Sequence, residues 1–133
     1  MRSLLEVGEL YLATHYIQAQ RYRTVLRDQF AEILRDVDAI LTPTVPFTAP
    51  PAGATDVTLE SGEVMDIVSA VMRYNALPPL TGMPALSVPC GFSDDDLPVG
   101  MQLVGSAFDE STLFRIGHGY QQLTDWHTSA PPV

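Results

Sequence analysis

Apolar residues recur at Val25, Leu26, Phe30, Ile33, Leu34 and Val37, the three- and four-residue spacing of one helix face. Arg27, Asp28, Glu32, Arg35 and Asp36 fall between them. The pattern predicts one long helix, or a broken pair, over about residues 7–37, with an inward stripe and a solvated charged side. A short apolar run over 39–42 then reads as a buried strand. Pro43, Pro46, Pro50 and Pro51 forbid a helix or a central strand beyond it. The strand therefore runs into an extended loop, either a wall that brings backbone to a ligand or a stiff surface connector.

Residues 56–62 read as a turn or short strand. Ser61 is a candidate N-cap for a helix running from Val64 to about Tyr74, with Met65, Val68 and Met72 as its apolar stripe. Pro78, Pro79 and Gly82 end that helix. Two strands are expected next, over 85–88 and 99–104; the second alternates Val99, Met101 and Leu103 with Gly100, Gln102 and Val104. The segment "GFSDDDLP" supplies the turn between them, and its three carboxylates read as a solvated tip, since a hard cation needs more oxygen ligands than these. A last helix is expected from about Glu110 to Leu123, with Leu113, Phe114, Ile116, Tyr120 and Leu123 on its apolar face. Asp109 and Glu110 lie where its dipole favours negative charge. Gly117 and Gly119 mark close packing against another backbone, and the tail after Trp126 reads as a surface turn.

Composition narrows the chemistry. The 133 residues suit one domain, and no apolar run approaches the roughly 20 residues of a membrane span. The first 16 residues lack a continuous apolar core and a small-residue cleavage site, so no signal peptide is expected. A net charge of −9 argues against nucleic acid as a partner. The single cysteine forms no internal disulfide, which fits a reducing compartment and places the chain in the cytoplasm. All seven basic residues are arginine, and the chain has no lysine, which excludes a lysine base or Schiff base within it.

Candidate nucleophiles and metal ligands are scarce. His15, His118 and His127 show no spacing that puts two ligands on one helix face, so neither a metal nor a cofactor is expected. No phosphate loop, dinucleotide fingerprint or G-x-S-x-G elbow occurs. Cys90 lies between Pro89 and Gly91 with an acidic loop behind it, a setting that raises a thiol pKa, and it reads as a small packing residue at a strand end.

Four segments in order carry a resemblance: "DAILTPTVP", "LTGMPALSVPCGF", "DLPVGMQLVG" and "FDESTLFRIGHGYQQLTDWH". Over about residues 36–131 the chain resembles the C-terminal portion of the amidase signature family, which includes amidases and the A subunit of the glutamyl-tRNA amidotransferase. The resemblance implies an α/β fold, here part of an α/β/α sandwich: a few-stranded mixed sheet packed by about three helices, with residues 1–133 as one segment. It also implies action on carbon–nitrogen amide bonds by a Ser–Ser–Lys triad carried elsewhere in the family's chain, so that no catalytic residue is assigned here. Without the triad the chain is expected to be inactive alone; the alternative is a non-catalytic accessory or structural subunit. The expected partners are a second copy or the missing N-terminal half, with a small amide substrate only in the complete enzyme. The resemblance gives this region part of a substrate-pocket wall, namely the loop with Thr42, Thr44 and Pro46 and the helix end at Met72. Where the family carries an Asn before the "TG-P" turn this chain has Pro79, and Met72 replaces an Asp that serves glutamine recognition. A less polar amide than glutamine is expected.

Overall fold

In a computed structural model, residues 6–130 are described. The first long element, α1 (Ala13–Ile33), follows a turn at residues 9–10, so the expected broken pair is what forms. Its C-terminal end does the packing. Leu34, the C-cap residue, is buried with Met83 and Val104, and Phe30 and Ile40 lean on that cluster. Val25, Ile33 and Val37, expected in the same stripe, are exposed.

Three strands make the main sheet: β1 (Ile40–Pro43), then, beyond an intervening hairpin, β4 (Ala85–Phe92) and β5 (Pro98–Val104). Their order is β1-β5-β4 with every pairing antiparallel: Ile40 faces Val104, and Ala85 faces the same Val104 from the other side. Pro43 is tolerated because β1 is an edge strand, which is the position the prolines allow. β5 lies in the middle, and Gln102, Leu103 and Val104 are buried in succession because both of its faces are covered.

β4 runs four residues further than expected. The ladder shifts register between Pro89 and Gly91, and Cys90 is the extra residue of that bulge. The acidic tip then closes tightly. The Ser93 amide donates to the Leu97 carbonyl at 2.9 Å, and Asp96 takes a left-handed φ of 57° that aspartate tolerates.

Between β1 and β4 the chain forms the hairpin, β2 (Asp56–Thr58) with β3 (Val64–Asp66). This corrects the expected helix start at Val64. The helix α2 is Ile67–Asn75, and its N-cap is Asp66, whose carboxylate accepts from the Ser69 amide at 3.0 Å; the cap is not Ser61. The Ser61 hydroxyl accepts instead from the Glu63 amide inside the hairpin turn, at 3.4 Å. A β-branched residue followed by Met and Asp pairs readily in a strand, and Asp66 is the better cap. Pro78 and Pro79 do not end the helical path outright. They occupy the first turn of a short helix, α3 (Leu77–Thr81), where the missing amide costs nothing, and Gly82 closes it at φ 75°.

The last helix, α4 (Glu110–Gln121), lies on the other face of the sheet. A Cβ on Gly117 would sit 2.8 Å from Leu86 Cδ2, so the glycine lets helix and strand approach. Nothing lies within 4 Å of the equivalent point at Gly119. The Tyr120 hydroxyl donates to the Cys90 carbonyl at 3.4 Å, tying α4 to the bulge. A single 3-10 turn follows (Trp126–Thr128), with Trp126 edge-on to Phe92 at 6.0 Å between ring centroids. With α1, α2 and α3 on one face and α4 on the other, the α/β expectation holds as three layers around an antiparallel sheet.

Candidate functional site

Two clefts open at the C-terminal end of α2. The larger, of about 780 Å³, has the proline-rich loop on one side (Pro43, Val45, Pro46 and Phe47). The β2 end (Val57 and Leu59) lies opposite, and Arg73, Tyr74 and Gly100 close it. The smaller, of about 340 Å³, lies between α1 and the sheet, against Phe30, Ile40, Thr42, Gln102 and Val104. Arg73 and Tyr74 line both clefts, so the last turn of α2 is the ridge between them. Both volumes are within the range of small-molecule sites.

The wall is built by a set of side-chain amides and hydroxyls. Asn75 Nδ2 donates to the Thr44 carbonyl at 2.9 Å and to the Val71 carbonyl at 3.1 Å. The Thr44 amide donates to the Gly100 carbonyl at 3.0 Å, and the Thr44 and Ser87 hydroxyls share a hydrogen bond of 2.7 Å. Gly100 makes that approach feasible, since a Cβ there would lie 2.9 Å from Thr44 Oγ1. Gln102 Nε2 reaches Thr42 Oγ1 at 3.3 Å and the Tyr74 carbonyl at 3.4 Å. Strand, loop and helix end are thereby fixed to one another by two carboxamides. Arg73 adds a tie on the far side: its Nη1 pairs with Glu63 Oε2 at 3.0 Å in the β2–β3 turn.

The four residues expected in a pocket wall fall in different places. Thr42 lines the smaller cleft and Pro46 the larger. Thr44 is half-buried and acts as the tether between loop, strand and helix. Met72 is 47% exposed on α2, and neither cleft includes it. Asn75, Ser87 and Gln102 were not singled out from the sequence. Gln102 carried a signal, being the one polar side chain in an otherwise apolar strand, and such a residue is buried only when hydrogen-bonded. Asn75 carried a weaker one, standing at a helix end just before a proline pair.

Charge at the site is modest. Hydrogen bonding from the Ser69 side chain, and then from its backbone amide, holds the Asp66 carboxyl below its ordinary value at the start of α2. Cys90 is half-buried in the bulge. Among the described residues no helix is long and apolar enough to cross a membrane.

Comparison with known proteins gives one consistent result. The family model described as Amidase matches residues 2–114. The chain is 40% identical over 133 residues to an amidase of Pseudomonas putida, covering 100% of this chain and 28% of that protein. It is 42% identical over 123 residues to the A subunit of the glutamyl-tRNA(Gln) amidotransferase of Chloroflexus aggregans, covering 92% of this chain and 24% of that one. A crystal structure of an amidase superposes with a TM-score of 0.81 at 33% identity, over 87% of this chain and 26% of that one. The chain thus spans about a quarter of the length of the curated relatives it matches.

Proposed function

The chain belongs to the amidase family, and from that premise we propose that residues 1–133 form the C-terminal segment of an enzyme that hydrolyses amide bonds. In this reading the segment supplies scaffold and pocket wall, while the Ser–Ser–Lys triad is carried on a different stretch of polypeptide. The observation that carries the reading is the absence of any lysine in a chain whose relatives are about four times as long. A triad that needs lysine cannot be assembled from these side chains alone.

Under the same proposal Thr42, Thr44, Pro46 and Met72 belong to the substrate-pocket wall, with Thr44 acting through the loop it holds. Methionine at position 72 and proline at 79 offer no carboxylate and no amide donor, which favours a less polar amide than glutamine. The single cysteine supports a cytoplasmic setting, and the exposed apolar residues of α1 support assembly with a further chain.

Two assays test the reading. The purified chain alone is expected to give no turnover of simple aryl amides. Mixed with the part of the Pseudomonas putida amidase that it does not match, it is expected to restore hydrolysis. Turnover by the chain alone that survives Cys90→Ala would overturn the proposal.

A further inference from the structure

The apolar stripe of α1 does not stop where its cover stops. Leu12, Tyr16, Ala19, Arg23, Leu26 and Phe30 follow one another at intervals of three and four residues on a single helix face. Toward its C-terminal end this face is covered: Leu26 and Phe30 are half-buried and Leu34 is buried. Arg23 marks the edge of the body, its guanidinium donating to the Leu80 carbonyl. Beyond it every residue over 10–22 is exposed, with Leu12 at 61% and Tyr16 at 64%. From Leu12 to Arg23 the bare run is about 16 Å long. A face that is core at one end and bare at the other is a layer interrupted.

Charge identifies what completes it. Between Leu10 and Arg27 there are three arginines (Arg21, Arg23 and Arg27) and no Asp or Glu, in a chain whose net charge is −9. Pairing two copies through this helix would set arginines against arginines, and like charges across an interface are penalised. A second copy is therefore disfavoured here. The relatives, in contrast, carry roughly three quarters of their length outside the part matched by this chain.

We infer that the bare half of α1 is the seat of that remaining part of the amidase fold, and that the surface seated on it is apolar with carboxylates at its rim. The inference rests on the reading of this chain as a C-terminal segment, and it names the residues that join it to the rest. Tyr16 and Leu12 are the anchors, continuing the layer begun by Phe30 and Leu34, and Arg21 is the rim charge.

The experiment mixes the full chain with the part of the Pseudomonas putida amidase that it does not match. Association is followed by sedimentation velocity and amide hydrolysis is followed in parallel. A one-to-one complex is expected. Tyr16→Asp should weaken it at least about tenfold, because a carboxylate would be buried against an apolar face. Tyr16→Phe should leave it intact, and Arg21→Glu should weaken it in a salt-dependent way. Position 16 is exposed and near the helix start, where an aspartate suits the dipole, so circular dichroism of the variant should match the parent. An absent complex, a complex equally tight with Tyr16→Asp, or a homodimer that Tyr16→Asp abolishes would overturn the inference. A Tyr16-dependent complex without hydrolysis sustains the inference and sinks the functional reading. Hydrolysis restored by a complex insensitive to Tyr16 does the reverse.

Discussion

Asn75→Ala isolates the tether that holds the proline-rich loop over the larger cleft. The Asn75 amide makes two hydrogen bonds, and they are unequal in consequence. The Val71 carbonyl lies four residues back in the same helix and keeps its helical partner, so losing the 3.1 Å bond costs little. The Thr44 carbonyl, 2.9 Å away, belongs to a half-buried loop residue and is left without that donor. A net hydrogen bond of this kind contributes about 0.5–1.5 kcal/mol, and an orphaned acceptor raises the cost to about 1–3 kcal/mol. Alanine returns roughly 0.5 kcal/mol through its better helix propensity. The expected loss is therefore about 1–2 kcal/mol, a fall of roughly 3–10 °C in Tm for a domain of this size. Thermal melts by circular dichroism measure it, and amide exchange over residues 44–47 reports whether the loop loosens. Asn75→Asp, which cannot donate when ionised and turns a negative charge toward a carbonyl, should be worse near neutral pH. Unchanged Tm together with unchanged exchange over 44–47 in Asn75→Ala would show that the carboxamide does not hold the loop.

Other substitutions probe the remaining contacts. Gly117→Ala places a methyl group 2.8 Å from Leu86 Cδ2, whereas Gly119→Ala meets nothing within 4 Å; urea denaturation should find the first variant less stable than the second by about 1–3 kcal/mol. Gly100→Ala crowds the Thr44–Ser87 hydroxyl pair at 2.9 Å and should destabilise more than Ser87→Ala, which removes only one hydrogen bond of about 0.5–1.5 kcal/mol. Asp66 has a folded-state pKa depressed below its ordinary value of 3.8, chiefly by Ser69. Its contribution is present above the unfolded value and is lost as pH falls through the folded one, so an acid series of melts should show a downward slope below about pH 4 that Asp66→Asn lacks.

Much of the scaffold was legible because one strong periodicity governed each part of it. The expected strand over 99–104 and helix from Glu110 appear nearly where they were placed, and Pro43 correctly confined its strand to an edge. The misplaced boundary, Val64, arose where two patterns overlap. Met65, Val68 and Met72 satisfy a helical stripe, yet three residues of hairpin precede the cap at Asp66, and only the pairing with residues 56–58 decides between them. The wall was less legible than the scaffold. Its members meet through contacts 28 to 60 residues apart in sequence, such as Asn75 with Thr44 and Gln102 with Thr42. No local pattern encodes such pairs. Part of the α1 stripe was misread for a related reason: Val25 and Ile33 have the right spacing, but what should cover them is not packed there.

The bulge at Cys90 bears on how such a chain avoids sticking to itself. β4 is an edge strand, and an unbroken edge of eight residues invites another strand to zip along it. Pro89 offers no amide, and the extra residue at Cys90 breaks the regular spacing of donors and acceptors, so the outer half of that edge is a poor template. Only residues 85–88 keep the regular repeat. Any strand that completes the sheet must therefore start there, and the length of edge open to unwanted partners is cut to about half.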